Sequence, residues 1–329
     1  MSGSLVSSSA VLALVALPRP VVWAYSVFGL VLAIGVAVIF VRGDWREARG
    51  LEKLILFGPV FYAASVAAFG TEHFTLSRDI ASIVPSFIPW HLFWAYFVGA
   101  CFIAAGLSLV TRIQARLAAS LLALTFFLFV MLMDVPALAQ DPRDRFALAL
   151  ALRELSFSGG ALALAASLGQ MARGRGSAVL ATIARYFVAV GVLFYSFEQF
   201  LHGKYVPGIP LDRLTPEWII GHSFWTYLAA VLYVVAGIPL LIGLKTRAAA
   251  TWIGLTVLVV ELAVYVPIGV AYFASLDNGF NYMADTLMYC GAVLMLAGAM
   301  PREAARQGSS PDRSADSGAR EARAPNVIS

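Results

Sequence analysis

Nine stretches of this chain are each apolar for about as long as a membrane is thick. They fall at 21–41, 54–72, 87–110, 117–135, 146–171, 181–200, 218–243, 249–271 and 281–300. A helix needs roughly 20 apolar residues to cross the hydrocarbon core. No water is present there to satisfy a free backbone N–H or C=O, so open sheet edges do not survive and the runs predict helices. Composition agrees. The chain is 60% hydrophobic and 13% charged, where a soluble domain keeps about a quarter of its residues charged. The expected fold class is an all-α integral membrane protein with about nine transmembrane helices.

Charge supplies topology rather than a nucleic-acid partner, because the basic residues lie between the apolar runs. Sixteen Lys and Arg, from Arg42 to the arginines of the C-terminal segment, fall on one side and seven on the other. Basic loops stay cytoplasmic, which predicts an outside N-terminus, a cytoplasmic tail and an inner-membrane location. Residues 1–20 have a short apolar stretch but no basic lead, and Pro18 and Pro20 run straight into the first long stretch. They are read as an N-terminal segment and not a cleaved signal. Residues 301–329 are charged and rich in Ser and Pro, and predict a disordered tail. Cys101 and Cys290 lie inside apolar runs without a CxxC spacing, so they are read as packing residues.

The chain also repeats itself. Residues 91–96 read HLFWAY and residues 222–227 read HSFWTY. At an offset of 131, Pro85 meets Pro216, Arg116 meets Arg247, Val135-Pro136 meets Val266-Pro267, and Glu154 meets Asp285. Upstream, EHF at 72–74 meets EQF at 198–200 at an offset of 126. This predicts one leading helix with its basic loop (21–53) and two four-helix units (54–173 and 174–300). Four is an even number, so the two units are parallel and related by a pseudo-two-fold axis along the membrane normal.

Each copy places a Glu at the outer end of its first helix (Glu72, Glu198), a His at the outer start of its second (His91, His222) and an acid in its fourth (Glu154, Asp285). Ionisable groups at membrane depth face a bundle interior or water. They serve either as interhelical hydrogen bonds or as a ligand or proton-relay site. The spacing matches no metal motif. Two histidines are the right number of axial ligands for a haem, but both stand at helix starts, which disfavours one. Trp94, Tyr96, Trp225 and Tyr227 read either as an interfacial aromatic belt or as an aromatic wall for a flat lipid such as a quinone. Pro136 and Pro267 are expected to stop the third helix of each copy. Glu261, deep in the eighth helix, has Val130 as its counterpart and reads either as a hydrogen bond to a neighbouring helix or as the best candidate for something only the second copy does. No nucleophile elbow, P-loop, HExxH or CxxCH is present, so the sequence carries no catalytic signature of its own.

The phrases AFGTEHF and VPSFIPWHLFWAYFVGACFIAAGLSLVTRIQARLAAS, with FYSFEQF and TPEWIIGHSFWTYLAAVLYVVAGIPLLIGLKTRAAAT in the second copy, resemble the DoxX-like family of four-helix membrane proteins. The resemblance covers about 57–171 and 184–300. Its usual member has a single unit, whereas this chain has two and an extra helix. It implies a membrane accessory role in a redox system, with a quinone as cofactor and a redox protein as partner beside the membrane lipids. Small-molecule or lipid transport through a cleft between the copies, with Glu261 as coupling acid, and a non-catalytic scaffold are the alternatives.

Overall fold

The computed structural model describes residues 17–168, 174–207 and 213–302, with the His222 side chain outside that set. The 1–20 segment up to residue 16 and the tail beyond residue 302 also lie outside the described residues. Among the described residues there are nine helices long and apolar enough to cross a membrane and no strand, only an isolated bridge between Tyr205 and Leu214. The helices are α1 (Arg19–Val41), α2 (Glu52–Thr75), α3 (His91–Thr111), α4 (Ala115–Gln140), α5 (Arg145–Ser167), α6 (Arg175–Leu201), α7 (Ser223–Ile242), α8 (Thr246–Ala271) and α9 (Leu276–Ala299). This is an all-α integral membrane protein.

From α2 to α9 each helix packs on the next, and α9 closes back on α2. Helices α5 and α9 also pack on each other across the middle, which divides the ring into two lobes. The first lobe is bounded by α2, α3, α4, α5 and α9. The second is bounded by α5, α6, α7, α8 and α9. The first helix of each sequence copy therefore packs against the fourth helix of the other. The leading helix α1 lies outside the ring, against α2 and α3.

The closest approaches are made by small residues, because lipid tails give two apolar helices no hydrophobic reason to associate and van der Waals contact must do it. A Cβ on Gly160 of α5 would stand 2.4 Å from the Ala292 Cα of α9. One on Gly291 of α9 would stand 2.5 Å from the Tyr62 backbone nitrogen of α2. On the α2–α3 face, Gly70 and Gly99 stand in the same relation, each within 3 Å of the other's carbonyl by the same measure.

One expectation is corrected here. Pro136 and Pro267 do not end their helices. α4 passes through a π turn at Val130–Asp134 and continues as Val135–Gln140. α8 passes through a π turn at Glu261–Tyr265 and continues as Val266–Ala271. The wider turn shifts the hydrogen-bond ladder by one residue. Each proline then falls in the first turn of a new α segment, where its missing N–H leaves no bond unmade.

The two lobes are filled differently. The second lobe is packed with Tyr195, Tyr233, Tyr265 and Tyr289, all buried. Tyr195 donates to the Ala149 carbonyl at 2.5 Å and Tyr265 to the Pro207 carbonyl at 2.9 Å. In the register of the repeat, the first-copy counterparts of these tyrosines are Phe69, Phe102, Asp134 and Ser158. Two of these, Phe69 and Phe102, border open room in the first lobe.

Candidate functional site: a polar chamber in the first lobe

That room is a cavity of about 300 Å³ toward the side opposite the basic loops. Phe69, Phe102, Phe126, Phe129 and Phe157 form its wall, and Glu72, His73, Arg153, Glu154, Asn281 and Asp285 supply its polar groups. Ile80 and Ile83, from the short helix Ser77–Ile83 that follows α2, contribute to its edge.

The wall is built from rings that hold one another. Phe102 stacks on Phe126 with centroids 5.5 Å apart, and Phe126 meets Phe157 edge-on at 5.5 Å. His73 meets Phe102 edge-on at 5.4 Å, and its Nδ1 lies 2.8 Å from the Phe69 carbonyl. That bond stays within α2 and fixes the imidazole against the wall.

The polar part is organised by Arg153. Its Nη1 donates to Asp285 across the α5–α9 contact at 2.8 Å, and its guanidinium lies over the Phe157 ring at 5.9 Å. Both partners are mostly buried, at 15% and 14% side-chain exposure. Asp134, at the π turn of α4, is near enough to act electrostatically on both Arg153 and Glu154. Glu72, only 9% exposed, shares the chamber lining with Asn281, and its Oε1 has no partner. The Arg153 Nε is likewise buried without one. A carboxylate acceptor and a guanidinium donor thus stand unsatisfied beside an aromatic cavity. Buried polar groups are nearly always hydrogen-bonded in native structures, so such a pair marks a place for a polar ligand atom or water.

The sequence-derived candidates separate into three groups. Glu72, Glu154 and Asp285 converge on the chamber. Glu198, the counterpart of Glu72, is bound instead by Arg145, whose Nε donates at 2.9 Å, with His202, just past the end of α6, at 3.8 Å. The histidine and aromatic layer lies elsewhere. Trp94, Tyr96 and Tyr227 are exposed on the outside of the bundle, and His91 is half-buried at the start of α3. Tyr96 stacks on Phe74 and shares a 3.2 Å hydrogen bond with Ser77. Trp225 donates to the Ile220 carbonyl at 3.0 Å. Those rings sit where an interfacial anchor sits. Glu261 is buried in the second lobe, in the π turn of α8, with its Oε2 unpartnered.

Sequence reading missed Arg153, Asn281 and His73 as chamber residues and missed the phenylalanine wall. Arg153 is one of the seven basic residues that the charge count places on the outer side. It adjoins Glu154 inside an apolar run, and that adjacency is the signal that separates an interior ion pair from a loop charge. Among the described residues no three His, Cys, Asp or Glu side chains gather closely enough to hold a metal ion. No family model matches the chain, and searches of the curated proteins and of the solved structures find no similar protein.

Proposed function

We propose that this chain is a DoxX-like accessory subunit of a quinone-linked membrane redox system, and that its first-lobe chamber receives the quinone head group. The observation that carries this reading is the pairing of an aromatic cavity with an unsatisfied carboxyl and guanidinium. A flat ring would stack among Phe102, Phe126 and Phe157. Arg153 would donate to a quinone carbonyl, and Glu72 would hold or accept a proton there. Reduction to quinol takes two electrons and two protons. The electrons would come from a partner redox protein, and the chamber carboxyls are the groups placed to pass protons. The basic loops favour placement in an inner membrane with the N-terminus outside and the tail cytoplasmic.

The test is quinone retention by protein purified in mild detergent. Extracted lipids identified by mass spectrometry should contain about one quinone per chain. Filling the chamber by Phe102→Trp should weaken uptake of a short-chain quinone roughly tenfold or more, because the larger indole takes up space the head group needs. A preparation that carries bulk phospholipid alone and takes up no short-chain quinone defeats the proposal.

A second reading, proton-coupled transport of a small molecule or lipid, draws on Glu261. A fully buried carboxyl with a free oxygen deep in a membrane helix is where a coupling proton would be carried. In proteoliposomes, substrate-driven proton uptake that disappears in Glu261→Gln would establish it. No uptake with the wild-type chain across a panel of amphipathic substrates would remove it.

A further inference from the structure

The first lobe has a second cavity at its other end. It encloses about 480 Å³ between α1, α2, α3, α4, α5 and α9, on the side of the basic loops, within the roughly 300–1,000 Å³ of small-molecule sites. We propose that it is a binding site for one anionic phospholipid, with an acyl chain in the cavity and the phosphate at its mouth.

The second lobe shows how the cavity arises. There Arg185 of α6 reaches across to α7, and its Nη1 donates to the carbonyls of Leu240 and Leu241 at 2.5 Å each. In the repeat register the counterpart of Arg185 is Pro59, and those of Leu240 and Leu241 are Leu109 and Val110. All three of these first-copy residues line the cavity. Where the second lobe is closed by its own arginine, the first has a proline that cannot reach, and the space stays open. The depth of the space is apolar, from Gly35 and Ile39 of α1 to Leu294 of α9. A soluble anion gains nothing there, whereas an acyl chain does.

The mouth carries the opposite chemistry. Arg112 and Arg116 both line the cavity and both reach the surface. They flank a tight turn in which Arg112 and Gln114 have positive φ, 62° and 56°. That turn starts α4 with no side-chain cap on its first amides, which leaves its positive end beside the arginines. The equivalent of Arg116 in the second copy is Arg247. Arg247 bonds Glu52 and the closing carbonyls of α9, Ala297 at 2.9 Å and Gly298 and Met300 at 3.1 Å. Arg112 is paired with Asp44 at the surface, an exposed pair of the weak kind that a phosphate can replace. Basic pockets between helices on the basic face of a membrane protein suit anionic head groups.

The experiment uses the full chain, stripped of lipid in detergent and offered equimolar phosphatidylglycerol and phosphatidylcholine in mixed micelles, with bound lipid counted by native mass spectrometry. We expect about one phosphatidylglycerol per chain, favoured over phosphatidylcholine roughly tenfold or more. The double variant Arg112→Gln/Arg116→Gln should bring the ratio close to one, whereas Arg78→Gln, on the opposite side, should leave it unchanged. Equal retention of both lipids by the wild-type chain overturns the proposal whatever the variants do. So does a preference that survives loss of both arginines, and so does binding of inorganic phosphate as tight as that of the lipid. None of these outcomes depends on whether a quinone occupies the other chamber.

Discussion

Replacing Arg153 by Met should lower the stability of the folded bundle by about 3–5 kcal/mol, the usual penalty for removing one partner of a buried ion pair. The size follows from what is left behind. Arg153 is the cation that faces Asp285 at 2.8 Å, and Glu154 and Asp134 also lie within its electrostatic reach. Without it, acidic groups crowd the α5–α9 contact with their compensating charge gone. The residual 14–15% exposure of the pair places the expected value toward the lower end of that range. The unfolding midpoint in mixed detergent micelles measures it. The double variant Arg153→Met/Asp285→Leu should recover part of the loss, because it removes the acid in direct contact with the lost cation and leaves only the more distant Glu154 and Asp134. Equal damage from the single and double variants would show that the arginine holds the bundle by shape and not by charge.

Gly160→Val should damage assembly by a different route. A Cβ at Gly160 meets the backbone of Ala292, with the Cα at 2.4 Å and the carbonyl oxygen at 2.7 Å. No side-chain rotation relieves a clash with backbone, so α5 and α9 must separate. These two helices divide the lobes and carry Arg153, Glu154 and Asp285. We expect a loss of at least about 3 kcal/mol and a large drop in folded yield, read by size-exclusion chromatography and melting. Gly176→Ala supplies the contrast, since nothing lies within 4 Å of a Cβ there. An alanine in a helix is favoured over glycine by about 0.5–1 kcal/mol, so that variant should be neutral or slightly more stable. A Gly160→Val protein that melts like the wild type would mean the two helices do not approach as described.

The chamber was half legible in the sequence. Glu72, Glu154 and Asp285 stood out because a carboxyl within an apolar run needs a reason to be there. Their company did not stand out. The repeat presented His91, Trp94 and Tyr96 as equals of Glu72, since all are doubled. Doubling records descent and is silent about which way a side chain points. Helix α3 turns Trp94 and Tyr96 outward and Phe102 inward, and the sequence has no alternation that announces this when both faces are apolar. The same blindness hid the difference between the copies. Glu72 and Glu198 look alike, yet Glu198 is bound by Arg145, whereas an oxygen of Glu72 is left without a partner.

The helices themselves needed only the sequence. Their number, approximate bounds and grouping follow from apolar run length and from the ban on unsatisfied backbone in lipid, which are local conditions on each segment. What only the tertiary structure decided is which segments face each other. The crossing of α5 and α9, the pairing of each copy's first helix with the other's fourth, and the open first lobe beside a tyrosine-filled second all depend on contacts between residues far apart in the chain. In lipid those contacts are chosen by close fit at glycines such as Gly160 and Gly291 and by a few buried charges, and neither is encoded in how apolar a segment is.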